Sequence, residues 1–131
     1  MDHKILAAQL HRMIRDARLL ADEGGREICG FLIDNGYFIE MIRLKNKKRS
    51  GGGFSFYLRE ADLIEKACKA MKHDIVGTFH SHPCYIAKPG DSDIAGAYDD
   101  ELILIIDVMK NQARLWRISN HQEKELHFEL I

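Results

Sequence analysis

Cysteine, proline and excess positive charge are all scarce in this sequence, and each scarcity removes a class of protein. Its three cysteines, Cys29, Cys68 and Cys84, are an odd number with no CxxC spacing. A disulfide framework and a structural zinc site of four thiolates are therefore excluded. Nineteen lysines and arginines against 20 acidic residues give a formal net charge of −1. Nucleic acid and anionic membranes need concentrated positive charge, so neither is expected as a partner. The longest apolar run, Leu102 to Ile106, falls far short of the about 20 residues that cross a bilayer. The N-terminus lacks the leader pattern of basic, apolar and small residues, and a cytoplasmic protein is expected. The run Gly51-Gly52-Gly53 has neither the GK[ST] ending nor the GxGxxG spacing of a phosphate loop. There is no internal repeat and no linker, and 131 residues suffice for one domain, 1–131, with a real hydrophobic core.

What is present alternates between helical and strand patterning. Ile5, Leu6, Leu10, Met13, Ile14, Ala17 and Leu20 share one stripe of a helix over Asp2 to Ala21, with Asp2 as N-cap and Gly24-Gly25 as stop. Ile28 to Ile33 reads as a strand buried on both faces. Asp34-Asn35-Gly36 turns the chain back through Tyr37 to Leu44 as a hairpin. The basic run Arg43, Lys45, Lys47, Lys48, Arg49 leads into a glycine-rich surface loop over 45–53; its functional alternative is a landing patch for an acidic partner. Phe54 to Leu58 reads as a short extended piece, and Arg59 to Lys72 as a helix with Ala61, Ile64, Ala67, Cys68 and Met71 inward. Asp74 to Ser81 is a strand by its β-branched and aromatic content. A loop from Pro83 to Asp91 holds both prolines, and a short helix follows over Ser92 to Tyr98. Leu102 to Val108, Ala113 to Ile118 and Leu126 to Leu130 are closing strands. The whole reads as a mixed α/β sheet with helices packed against it.

The chemistry concentrates in Gly77-Thr78-Phe79-His80-Ser81-His82-Pro83 and the residues after it. Side chains alternate across a strand, so His80 and His82 point to one face and offer two nitrogens to a single metal ion. A catalytic zinc takes a third protein ligand and keeps one open position for water. Asp93, at the start of the short helix, and Asp91 are both eligible as that ligand. Cys29 and Cys68 sit in apolar patterns as small core residues, and Trp116 on a late strand is a core residue too. Cys84 reads as a shielded loop residue, with a redox-sensitive thiol or an extra ligand as alternatives. His3, His11, His73, His121 and His127 have no ligand spacing and are expected to face solvent.

These residues resemble a known motif. An upstream Glu in a stretch like E-x-C-G-hydrophobic, then His-x-His, ten residues and Asp is the JAMM pattern, also called MPN+ or JAB-type, of zinc metalloproteases. Glu27-Ile28-Cys29-Gly30-Phe31 matches the first part; His80-Ser81-His82, the ten residues Pro83 to Ser92, and Asp93 match the second. Within the resemblance the count selects Asp93 over Asp91. The similarity extends over nearly the whole chain and is to a compact, prokaryotic, stand-alone member. It implies a cytidine-deaminase-like MPN fold, a mixed curved β-sheet flanked by helices, with Zn2+ held by His80, His82 and Asp93. It implies Glu27 as general base, where the residue alone reads rather as a surface carboxylate in an ion pair, with Arg26 as a partner.

The function implied is hydrolysis of a peptide or isopeptide bond. The substrate implied is the extended C-terminal Gly-Gly tail of a ubiquitin-like or sulfur-carrier protein, lying as an added strand, for which Phe54 to Leu58 is a candidate edge. The alternatives are a non-catalytic MPN-type scaffolding module that retains zinc, and a zinc hydrolase of small amides. One position departs from the pattern: Gly90 stands where the family has Ser, three residues before the Asp. Losing such an oxyanion donor costs about 10²–10³ in rate, and Ser92 or a backbone N–H is the substitute this chain offers.

Overall fold

The two most continuously apolar strands lie in the interior of one eight-stranded sheet. The computed structural model describes residues 3–49 and 52–131. Its elements are β1 (His3–Ile5), α1 (Ala7–Ala21), β2 (Cys29–Asp34), β3 (Ile39–Leu44), α2 (Leu58–Met71), β4 (Asp74–His82), α3 (Asp91–Gly96), β5 (Glu101–Asp107), β6 (Gln112–Ser119), β7 (Gln122–Leu126) and β8 (Phe128–Leu130). The strand order is β7-β6-β5-β4-β2-β3-β1-β8. Pairing is antiparallel except for β4 with β5 and for β1 with β3 and β8. Because β7 and β8 are separated only by His127, one stretch of chain edges both ends of the sheet and nearly closes it into a barrel.

Alternation along the strands sorts the apolar residues into layers. Ile28, Leu32, Met41, Phe79, Leu104, Ile106 and Leu115 face α1, which contributes Leu10, Met13 and Ala17. On the opposite face, Phe31, Ile33 and Leu44 meet Ala61 and Cys68 of α2. Further along that face, Ile103, Ile105, Trp116 and Ile118 pack with Ala87, Ile94 and Ala97 from the loop and helix after β4. β2 and β5 are covered on both sides, which is why neither shows polar alternation. Gly30 permits the tight packing at the centre: a Cβ there would lie 2.0 Å from the Ile42 carbonyl oxygen and 2.5 Å from the Phe79 ring.

Several expectations are corrected. The first helix begins at Ala7; Ile5 belongs to β1, and Asp2 lies outside the described residues. Strand pairing with β3 and β8 takes up the chain where the apolar stripe suggested helix. The start of α1 is capped instead by the far end of the chain, with the Ala7 N–H donating to the Ile131 carbonyl at 2.9 Å. In α2, Ala67 and Met71 are exposed, because the covered stripe is narrower than the sequence pattern. Residues 54–57 are extended but belong to no strand, so they form no sheet edge. The last expected strand is two, β7 and β8, after a turn at Asn120 and His121, both at positive φ. Trp116, Cys29 and Cys68 are buried as expected, and burial pushes the Cys29 thiol up to about 12. His11, His121 and His127 are exposed, whereas His3 and His73 are half-buried.

Candidate metal centre

β4 delivers both histidines to the face shared by α2 and α3, between the two apolar clusters of that side. Its neighbour β2 sets Cys29 opposite His80. Beyond that pair, Ser81 N–H donates to the Ile28 carbonyl (3.1 Å), and Ile28 N–H donates to Ser81 Oγ (2.9 Å). Continuing the antiparallel ladder by one residue places Glu27 across from His82, on the face that carries the histidines. Strand pairing thus closes a gap of more than 50 positions between Glu27 and the histidines.

Three ligand atoms converge. His80 Nε2 lies 3.0 Å from His82 Nε2 and 3.6 Å from Asp93 Oδ2. All three residues fall within a cluster whose donor atoms are within 4.8 Å of one another. The tautomer of His82 follows from its surroundings. Its Nδ1 is 2.8 Å from the Ile86 carbonyl; a carbonyl only accepts, so Nδ1 carries the proton and Nε2 keeps its lone pair. His80 is buried, and its Nδ1 has no hydrogen-bond partner. Without a cation, a neutral His80 has two choices. It can point a lone pair at that of His82, or it can donate from Nε2 and leave the buried Nδ1 lone pair unpaired. A divalent ion accepting both Nε2 lone pairs removes the conflict, and the histidine–carboxylate set suits such an ion. The residues therefore fit a metal ion.

Asp93 is held ionised. Burial raises its affinity for a proton, but the adjacent His80 imidazole, the Gly90 N–H donated to Oδ2 and the nearby His82 outweigh burial and lower its pKa. The short helix that carries it puts Asp91 and Asp93 in one turn, but only Asp93 turns inward; Asp91 is exposed. Gly90 N–H donates to Asp93 Oδ2 at 2.8 Å, so the backbone donor at the position of the family serine is already engaged. Ser92 instead lines the groove beside Asp93.

Glu27 is 3% exposed and so is no surface carboxylate; Arg26 faces Glu23 instead, at 3.9 Å. One carboxylate oxygen, Oε2, accepts the Gly53 N–H at 2.7 Å. The other, Oε1, is buried with no hydrogen-bond partner. A buried carboxylate oxygen left bare is costly.

Some participants carried no recognisable signal in the sequence. Phe54 stacks on the His80 ring, with centroids 4.9 Å apart and planes at 30°, and Tyr85 meets His82 edge-on at 5.9 Å. The Ile86 carbonyl is a backbone group and leaves no trace in residue type. The loop bearing it is fastened by Ala87, whose side chain is buried and whose carbonyl accepts the Trp116 indole N–H at 2.8 Å. Cys84, expected to be shielded, is exposed. An open groove of about 990 Å³ runs from His80, Asp93 and Ser92 along Thr78, Gly77, Val76 and Ile75 of β4. Lys48 and Phe54 line it near the histidines, and Asp99, Asp100 and Glu101 line it elsewhere.

A family model described as prokaryotic homologs of the JAB domain matches residues 7–119. Among solved structures, a protein from Desulfitobacterium hafniense is similar at 26% identity and a TM-score of 0.78, over 98% of this chain and 92% of that one. A protein from Salinibacter ruber is similar at 16% identity and a TM-score of 0.58, over 98% and 91%. A JAB1/MPN domain protein from Archaeoglobus fulgidus shares the fold at 15% identity and a TM-score of 0.54, over 100% and 99%. No curated protein matches the chain. No helix among the described residues is long and apolar enough to cross a membrane. The family match runs from α1 to the end of β6 and takes in the whole His-His-Asp cluster, so the chain belongs to the prokaryotic JAB-domain family.

Proposed function

We propose that this chain is a zinc-dependent metallopeptidase that hydrolyses a peptide or isopeptide bond at the extended C-terminal tail of a ubiquitin-like or sulfur-carrier protein. One observation carries the reading: His80, His82 and Asp93 converge, and a buried Glu27 beside them keeps one oxygen unpartnered. When bound, zinc supplies a Lewis acid that polarises a carbonyl and makes water acidic near neutral pH.

This chain's residues do the rest. Glu27 Oε1 takes the proton of the attacking water and returns it to the leaving amine. The Ile86 carbonyl holds His82 in the tautomer that ligates. Phe54 covers one face of His80. Ser92 is the side-chain donor available to the developing oxyanion. The groove along β4 takes the tail in extended form.

A second reading, a non-catalytic module that retains zinc, is favoured by one feature: Gly90 supplies no hydroxyl and its N–H is committed to Asp93. The two separate on measured zinc content and on cleavage of a ubiquitin-like protein fused through its Gly-Gly end. Bound zinc, cleavage by wild type and loss of cleavage in Glu27→Gln support the peptidase. Absence of zinc binding sinks both readings. Zinc without cleavage favours the scaffold, and undiminished cleavage by Glu27→Gln overturns Glu27 as the base.

A further inference from the structure

The loop that joins β3 to α2 is organised around one side chain that the proposed chemistry does not use. Asn46 engages both amide hydrogens and its oxygen. Its Nδ2 donates to the Glu27 carbonyl (3.0 Å) and to the Gly53 carbonyl (3.2 Å). Its Oδ1 accepts the N–H groups of Lys48 (3.0 Å) and Ser55 (3.2 Å). Lys47 N–H reinforces the closure by donating to the Ser55 carbonyl at 2.8 Å. Two donors and two acceptor sites are the whole hydrogen-bonding capacity of a primary amide, and here all are used on backbone.

The partners share a destination. Gly53 is held by its carbonyl to Asn46 and adopts φ +92, a conformation few residues other than glycine reach. Its N–H is thereby aimed at Glu27 Oε2. The Glu27 main chain is tied to the same amide. One asparagine therefore fixes both ends of Glu27, with Oε2 anchored and Oε1 bare.

We infer that Asn46 is the positioning residue of the general base: through the Gly53 N–H it locks the Glu27 carboxylate so that Oε1, not Oε2, faces the attacking water. The inference rests on the metallopeptidase reading for its catalytic part and on the loop alone for its structural part. A wrongly placed catalytic group costs rate rather than binding. The network makes no hydrogen bond to the His80, His82 or Asp93 ligand atoms, and Phe54, between Gly53 and Ser55, meets only the face of the His80 ring, so metal affinity is expected to stay near that of wild type.

The test compares wild type, Asn46→Ala, Asn46→Asp and Glu27→Gln, with Asn35→Ala as control. Asn35 staples a different turn, accepting the N–H groups of Tyr37 and Phe38. Asn46→Asp keeps the two acceptor contacts and loses both donated ones. Three quantities are read: kcat and KM on the Gly-Gly fusion, zinc affinity by chelator competition, and the Gly53 amide proton of the metal-free protein by NMR. In both Asn46 variants kcat is expected to fall at least about tenfold, with KM and zinc affinity within about twofold of wild type. The Gly53 amide proton, downfield in wild type through its carboxylate bond, moves upfield in both Asn46 variants and in Glu27→Gln. Asn35→Ala changes none of the three.

Folded Asn46 variants with wild-type kcat, or with an unmoved Gly53 amide, overturn the inference. Zinc affinity that falls in step with kcat overturns it as well, because the role is then to hold the site as a whole. So does failure of both Asn46 variants to fold while Asn35→Ala folds, which marks a structural staple. If wild type cleaves nothing, the metallopeptidase reading fails separately, and the Gly53 amide alone still decides whether Asn46 sets the Glu27 carboxylate.

Discussion

Gly90 does two things without a side chain: it starts α3, and its N–H holds Asp93. Its backbone, at φ −83 and ψ 173, is the extended conformation in which serine caps a helix well. A Cβ there would meet Asp93 Oδ2 at 3.7 Å, an ordinary contact. Gly90→Ser is therefore expected to fold with stability within about 0.5 kcal/mol of wild type. On the peptidase reading, the restored hydroxyl raises kcat by up to about 10². A kinetic comparison at unchanged zinc content checks this, and an unaltered kcat removes the oxyanion role assigned to this position. Glu101 tests burial at the same scale. Burial raises its pKa, against a backbone hydrogen bond from Tyr98 that lowers it. A carboxyl raised in the folded state binds protons more readily there than in the unfolded chain, so its penalty is present above the folded pKa. The penalty fades as pH falls through that pKa and below the ordinary value of 4.5. Glu101→Gln should raise Tm at pH 7, with the gain vanishing on acidification; a gain independent of pH contradicts the assignment. The histidine pair was legible from residue type and its two-residue spacing on a strand, whereas Asp93 over Asp91, and Glu27, were picked out by the motif resemblance; the fold brings His80, His82 and Asp93 together. Phe54, Asn46 and the Ile86 carbonyl were not legible, since stacking, loop stapling and backbone contacts impose no spacing on the sequence.

At the scale of elements, the loop from Pro83 to Gly90 is as much a part of the candidate metal centre as the strand before it. It positions His82 through Ile86, and Ile86 is followed by Ala87, which is pinned by Trp116. Trp116→Phe keeps an aromatic ring in the cluster with Ile103, Ile105 and Ile118 and removes the N–H that reaches Ala87, together with part of the indole's volume and of its contact with Arg114. Outer-shell changes of this kind typically cost about 10–100-fold in metal affinity, and a loss near the lower end is expected here by chelator competition. Affinity equal to wild type means the loop is held by Ala87 burial alone. Strand patterning announced β2 and β5, whose apolar runs need cover on both faces, and α2 within a residue at each end. The start of α1 was misjudged because an apolar stripe is compatible with either element. What took Ile5 from the helix was a pairing partner more than 120 residues away, and local pattern contains nothing about it.

For the molecule as a whole, the C-terminal stretch supplies both edge strands and nearly closes the sheet. β7 pairs with β6, β8 pairs with β1, and the Ile131 carbonyl caps α1. Deleting 128–131 uncovers β1 and frees the Ala7 N–H, so Tm is expected to fall by about 10 °C. On the zinc reading, zinc affinity should hold within about threefold, because β4 is separated from β1 and β8 in the strand order by β2 and β3. Loss of zinc binding from the folded truncated chain would mean that closure also shapes the metal centre.

The sequence by itself pointed to the candidate metal-binding residues, the candidate base and the layered α/β character. The histidine pair and the layering follow from residue type, spacing and periodicity, which act locally; the choice of Asp93 over Asp91, and Glu27 itself, rest on the motif resemblance. Only the tertiary structure decided how Glu27 reaches the histidines, which of its oxygens is anchored, which tautomer His82 adopts and how the last strand splits to form both edges of the sheet. Those features depend on strand register and on contacts between residues far apart in sequence, where packing and hydrogen-bond satisfaction over the whole chain select one arrangement.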